Sequence, residues 1–186
     1  MKRLLDIVVA VFTLVSLLVP LLLLAMVVKS TSKGPILFWS KRIGQYGQPF
    51  NMPKFRTMLV DAPLASTMQL TNAHAYITPV GHILRKTSLD ELPQLISVIR
   101  GEMSLVGPRP ILTIETKLIA KRNSAGIDDL KPGITGWAQI NGRDDLSETE
   151  KITLDAEYMA QQSLLFDLKI LWQTFFYVLR LKGVRH

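Results

Sequence analysis

Hydrophobic positions follow three patterns along this chain. From Ile7 to Val28 the sequence is apolar on every face, interrupted only by Thr13, Ser16 and Pro20. A helix of ~22 residues is ~33 Å long, enough to cross a hydrocarbon core. Pro20 lacks an N–H and its ring meets the carbonyl of Ser16, so the helix should kink or break there. Lys2 and Arg3 precede the run, and Lys29, Lys33, Lys41 and Arg42 follow it. Basic residues mark the cytoplasmic side, and here they flank both ends. Two readings stay open: a kinked span, or a re-entrant helix–break–helix over residues 1–30 that enters and leaves on one side. The flanking charges fit the second. Asp6, at the start of the run, lies one turn from Arg3.

The second pattern is short and strand-like. Ile36 to Trp39 reads as a strand between the Ser32–Pro35 turn and a turn marked by Gly44, Gly47 and Pro49. Phe50 to Met58 alternates weakly and would place Lys54 and Arg56 on one face. Such a pair is either a solvated basic stripe or a phosphate contact. Asp61 to Tyr76 is polar and reads as a loop, and Val80 to Lys86 as a short helix.

The third pattern is helical. Leu92, Leu95, Ile96 and Ile99 keep the spacing of one buried face. Pro93 fits only a first turn, so this helix should begin near Asp90 or Glu91 and stop at Gly101. Ile114 to Arg122 also reads as helix, and Asn123 to Asp129 as linker. Lys131 to Arg143 is broken by three glycines, a proline and an Asn-Gly pair, which forbids a long element. Such a loop is either a Gly-rich connector or a means of bringing backbone N–H groups near a ligand, with Trp137 available to stack on a base or sugar. Ser147-x-x-Glu150 is a capping box that opens a helix to about Gln162. Ser163 to Lys182 is apolar and aromatic, with Lys169, Gln173 and Arg180 on one stripe. It is either an amphipathic helix in the membrane interface, the reading favoured by the N-terminal run, or a helix packed on the domain's own core. The fold expected is mixed α/β, helix-rich with short strands, as one cytosolic domain over 31–186 that includes the interfacial helix 163–182.

Composition narrows the partners. A net charge of +7 calls for an anionic one. The basic residues are scattered and match no nucleic-acid module, so no nucleic acid is expected. The absence of cysteine excludes thiolate–metal sites, and the three histidines share no ligand spacing.

Candidate chemistry centres on Asp90 and Glu91. A carboxylate at a helix N-terminus is held ionised by the helix dipole and free N–H groups. It can act as nucleophile, metal ligand or cap, and Ser88-x-x-Glu91 also fits a capping box. Arg85 lies just upstream. Arg109 is held extended between Pro108 and Pro110, and by itself would be an ordinary surface arginine.

With these residues in view, the chain resembles the monotopic phosphoglycosyl transferases. These bacterial sugar transferases move a phosphosugar from a nucleoside diphosphate sugar to a polyprenyl phosphate. The blocks that carry the resemblance are KFRTM at 54–58, RKTSLDELPQL at 85–95, GEMSLVGPRP at 101–110, PGITGWAQINGR at 132–143 and FDLKI at 166–170. Several blocks in order are more specific than any one. The resemblance implies that Asp90 is a nucleophile forming an acyl phosphate with release of UMP. It implies Mg²⁺ bound by Glu91 with Asp90, and phosphate contacts from Arg109 and Arg56, then Lys54, Arg85 and Arg143. Asp155 matches a position kept acidic and would support the site. The implied partners are a UDP-sugar donor, a polyprenyl phosphate acceptor such as undecaprenyl phosphate, and membrane phospholipid. The implied location is the cytoplasmic face of the bacterial inner membrane. Val19 stands before Pro20 where the family has serine, with Ser16 one turn earlier; Lys131 stands where arginine is common. The sugar and the oligomeric state, a homodimer included, are left open. A different class, a membrane-anchored basic binding module, would explain the charge and both amphiphilic ends but not the paired carboxylates.

Overall fold

A computed structural model of the chain describes residues 1–63, 73–142 and 145–179. It is a small mixed α/β domain in which helix predominates. The elements in order are α1 (Lys2–Ser16), α2 (Leu18–Thr31), β1 (Leu37–Ile43), β2 (Pro49–Phe55), α3 (Ala73–Tyr76) and α4 (Pro79–Thr87). A 3₁₀ segment, Leu89–Gln94, runs into α5 (Leu95–Arg100). Then come β3 (Ser104–Val106), β4 (Ile111–Leu112), α6 (Thr116–Ser124), β5 (Gly133–Thr135), α7 (Trp137–Ile140), α8 (Glu148–Gln161) and α9 (Leu164–Leu179). β1 lies between β2 and β4, antiparallel to both, while β3 and β5 form a separate parallel pair.

The N-terminal run is a bent pair. α1 and α2 meet at Leu17 with a 65° bend. Pro20 falls in the first turn of α2, and its ring excludes a straight path past Ser16. The break therefore lies at Leu17, upstream of the proline rather than at it. No single described helix is long and apolar enough to cross a membrane; the two together pass that test by length and composition.

The bent pair is bonded to the domain through polar groups. Asp6 is buried, and its carboxylate accepts from Ser104 Oγ at 2.9 Å and from the Leu105 N–H at 3.1 Å. Lys2 donates to Asp167 at 2.6 Å and to the Val106 carbonyl at 3.1 Å. Tyr158, also buried, donates to Asp167 at 2.7 Å. Arg3 donates to the Val98 and Ile99 carbonyls, a positive charge at the C-terminus of α5. Ala10 then sits in one core with Met52, Leu95, Val98, Met103 and Ile170, and Val28 in a second with Phe55 and Leu84. Leu4, Val8, Phe12, Val15, Val19, Leu22 and Met26 point outward and are exposed.

The periodic stretch after Asp90 keeps its helical character but changes its buried face. Leu95 and Val98 are buried, whereas Ile99 is exposed. The 3₁₀ segment advances three residues per turn, so the phase carried into α5 differs from a continuous α-helix. Ser147 and Glu150 form the expected capping box at α8. Residues 123–129 are not a plain linker: α6 extends to Ser124, and a 3₁₀ turn follows with Ile127 buried. α9 buries Asp167 and Ile170 and exposes Leu165, Leu168, Trp172 and Phe175, so one helix carries a core face and an unpartnered apolar face.

Replacing Asp6 by alanine strands two buried donors on β3, a cost of about 2 kcal/mol. For a chain of this size the thermal midpoint in detergent should fall by ~4–8 °C. An unchanged midpoint would show that the Asp6 bonds do not hold α1 to the domain.

Candidate active site

α4 ends at Thr87, and Ser88 adopts a left-handed conformation with φ 57°. For a residue with a Cβ this costs about 1 kcal/mol. It reverses the chain, and the 3₁₀ segment then lies against β2. Asp90 and Glu91 occupy its first turn. Ser88 makes no side-chain cap; its backbone carbonyl takes the Glu91 N–H at 3.2 Å. The capping-box alternative for Ser88 and Glu91 is therefore not realised, because a left-handed Ser88 does not have the extended backbone of an N-cap.

Both carboxylates face cations. Lys54 Nζ donates to Glu91 Oε1 at 2.8 Å, and Arg109 Nη2 approaches the same oxygen at 3.4 Å. Asp90 is 7% exposed. Burial pushes its carboxyl up to about 6; Lys54 opposes this most strongly, Glu91 adds to it, and Arg85 and Arg109 oppose it. Burial thus opposes the ionisation expected of a carboxylate at a helix N-terminus, and the surrounding cations favour the charged form. Burial likewise pushes Lys54 down, opposed by Glu91 and then Asp90. Arg85 donates to Thr57 Oγ1 at 2.9 Å and lies within the field of both carboxylates.

Arg42 joins this group, and the sequence reading missed it. Its Nε donates to Ser40 Oγ at 2.9 Å and its Nη1 to the Pro110 carbonyl at 3.2 Å. Burial, then Arg109, push it down to about 10, against Glu115 and Glu91. The expected strand stopped at Trp39; the observed one runs to Ile43. Continued alternation puts Phe38, Ser40 and Arg42 on one face, and Lys54 lies opposite Phe38 on that face.

Other expected residues lie elsewhere. Arg56 is buried and donates to Ser32 O, Ser32 Oγ and Lys33 O at the end of α2. β2 ends at Phe55, so the strand geometry that would align Arg56 with Lys54 is lost. Trp137 turns toward α8 and α9: its Nε1 donates to Glu157 at 3.0 Å, its ring centre lies 5.1 Å from that of Phe166, and Lys169 sits over it. These partners hold the half-buried ring against α8 and α9. The glycines around it let backbone approach backbone closely. A Cβ on Gly133 or Gly136 would strike Gly107, and one on Gly107 would strike the Lys131 carbonyl. Arg143 lies outside the described residues. Asp155 is buried behind Arg109, paired with Arg122 at 2.6 Å. Burial pushes Asp155 up to about 6, opposed by Arg122.

Asp90 and Glu91 are the acidic groups available to a divalent cation. Among the described residues no group of three or more metal-ligating side chains occurs. Two carboxylates completed by substrate phosphates and water suit Mg²⁺, which seldom takes an all-protein cage. Beside the pair runs an apolar groove lined by Leu17, Pro20, Leu23, Leu24, Val27, Leu89 and Leu92, which joins the break between α1 and α2 to the residues flanking Asp90.

Known proteins share this sequence from end to end. The model of the bacterial sugar transferase family matches residues 1–181. The uncharacterized sugar transferase EpsL of Bacillus subtilis (strain 168) is 41% identical over 185 residues, covering 100% of this chain and 90% of that protein. The exopolysaccharide production protein ExoY of Sinorhizobium fredii (strain NBRC 101917 / NGR234) is 40% identical over 189 residues, covering 93% of this chain and 83% of the relative. The UDP-glucose:undecaprenyl-phosphate glucose-1-phosphate transferase of Escherichia coli (strain K12) is 41% identical over 183 residues; 95% of this chain spans 39% of that longer protein. On this match, and with the motif blocks in order, the chain belongs to the bacterial sugar transferase family.

Proposed function

We propose that the protein transfers a sugar 1-phosphate from a UDP-sugar to a polyprenyl phosphate, with undecaprenyl phosphate as acceptor, through a covalent phosphosugar on Asp90. The observation that carries this reading is the buried Asp90, next to Glu91 and within the field of Lys54, Arg85 and Arg109, with Arg42 within the field of Glu91. The names of several relatives, UDP-glucose:undecaprenyl-phosphate glucose-1-phosphate transferase among them, support the substrate classes.

In the first step an Asp90 carboxylate oxygen attacks the sugar-bearing phosphorus. The bond from that phosphorus to the bridging oxygen breaks, and its electron pair leaves on UMP. In the second step a phosphate oxygen of the acceptor attacks the same phosphorus and Asp90 leaves as carboxylate. The bond between sugar and phosphate is untouched throughout. Splitting one transfer in two is the use of covalent catalysis. Lys54, Arg109 and Arg85 offset charge on the phosphoryl oxygens. Mg²⁺ held by Glu91 and Asp90 with the donor phosphates would offset the diphosphate charge further.

The acceptor is a lipid and the donor is soluble, so the site belongs at a headgroup surface. The exposed apolar faces of α1, α2 and α9 suit a re-entrant anchor and an interfacial helix on the cytoplasmic side of the inner membrane. The groove beside Leu89 and Leu92 would take the first isoprene units of the acceptor.

With both substrates varied, initial rates should give parallel double-reciprocal lines, and Asp90→Asn should abolish turnover while its thermal midpoint stays near wild type. Intersecting lines, or an active Asp90→Asn protein, would exclude the covalent route. A binding module would tolerate that substitution in its ligand affinity and show no turnover in either form. Lys54→Met should lower kcat by ~10²-fold, the scale of losing one aligned charge stabiliser. A kcat within twofold of wild type would remove Lys54 from the chemistry.

A further inference from the structure

Arg109 Nη2 approaches Glu91 at 3.4 Å, and its side chain is 38% exposed. The backbone that carries it is fixed separately. Pro108 and Pro110 have no N–H, so their part of the segment can be held only through carbonyls. Each of those carbonyls has a donor from a different part of the chain. The Gly133 N–H donates to Pro108 O at 2.8 Å. Arg122 Nη1, on α6, donates to Arg109 O at 2.7 Å. Arg42 Nη1, on β1, donates to Pro110 O at 3.2 Å.

Arg122 is the most heavily built of these. Its second nitrogen, Nη2, donates to Asp155 Oδ2 at 2.6 Å, and the two side chains are 11% and 1% exposed. Burying such a pair adds little net stability, because desolvation offsets the attraction. The pair does supply direction. A planar guanidinium with one nitrogen fixed on Asp155 aims the other at a single point, the Arg109 carbonyl. Asp155 also offsets the charge of Arg122, which otherwise faces the like charge of Arg109.

We propose that Arg122, oriented by Asp155, is a positioning residue for Arg109: it sets the backbone from which the Arg109 guanidinium reaches the phosphoryl group. This rests on the transferase reading, in which Arg109 is the group that touches substrate. It gives Asp155 a role one layer behind the site rather than in it.

The test is a double-mutant cycle on the full-length protein in detergent, with UDP-glucose and undecaprenyl phosphate, reading kcat and donor KM for Arg109→Lys, Arg122→Lys and both. Lysine keeps the charge but cannot hold two directed bonds in one plane. Arg109→Lys should cost ~10²-fold in kcat. Arg122→Lys alone should cost ~10-fold in kcat with donor KM within twofold, and less than ~2-fold more in the Arg109→Lys background, since residues acting through one another are non-additive. Asp155→Asn, which keeps an acceptor for Arg122, provides a second cycle with the same expected pattern should Arg122→Lys fold poorly. If the Arg122→Lys or Asp155→Asn loss is the same fold in both backgrounds, the pair acts independently of Arg109 and the proposal is overturned. If Arg109→Lys itself retains wild-type kcat, the failure lies in the role given to Arg109, and the positioning proposal falls with it.

Discussion

Glu91 takes Lys54 at 2.8 Å and Arg109 at 3.4 Å on one carboxylate oxygen, directly beside the buried Asp90. Two adjacent carboxylates out of water repel each other and lose hydration, so the arrangement survives only if cations are fixed around it. That requirement explains the placing of the elements nearby. β2 brings Lys54, β1 brings Arg42, α4 brings Arg85, and the segment between β3 and β4 brings Arg109. The left-handed turn at Ser88 is the local cost of pointing the pair at them. In the proposed transfer the same cations that make an ionised Asp90 tolerable would meet phosphoryl oxygens, so the stability of the site and its affinity for a diphosphate would have one physical source.

The rest of the fold ties the outward apolar helices to the domain that carries this site. Lys2 in α1 reaches Asp167 in α9, and Tyr158 in α8 reaches the same carboxylate. Burial, with the Asp167 hydrogen bond, pushes the Tyr158 hydroxyl well above its usual range, so it stays a donor at any working pH. The two apolar outward faces, on α1–α2 and on α9, are thus joined through one buried polar cluster. Asp6 joins the same helix to β3, two residues before the segment that ends in Arg109. The outward apolar faces and the segment that carries Arg109 share a frame rather than a hinge.

Much of this was readable from local signals. The Ser147–Glu150 box, the break near Pro20, the short strands and the carboxylate pair depend on residues within one turn of each other. The misreadings have long-range causes. Arg42 and Arg122 act on carbonyls 68 and 13 residues away, and no local pattern marks either arginine. Arg56 was grouped with Lys54 because a two-residue spacing shares a face only while the strand lasts, and β2 stops between them. Trp137 carries no local sign of its neighbours, and in space it packs against α8 and α9. The buried face of α5 shifted because one 3₁₀ turn changes the phase of everything after it.

The account stands on Asp90 as a covalent carrier, and intact-mass spectrometry tests that directly. Protein mixed with Mg²⁺ and UDP-glucose, without acceptor, should gain the mass of one hexose 1-phosphate less water. The gain should map to the peptide containing Asp90 and disappear when polyprenyl phosphate is added. A protein that turns over both substrates yet never carries this mass, under quenching that preserves acyl phosphates, would contradict the account and point to direct transfer between bound donor and acceptor.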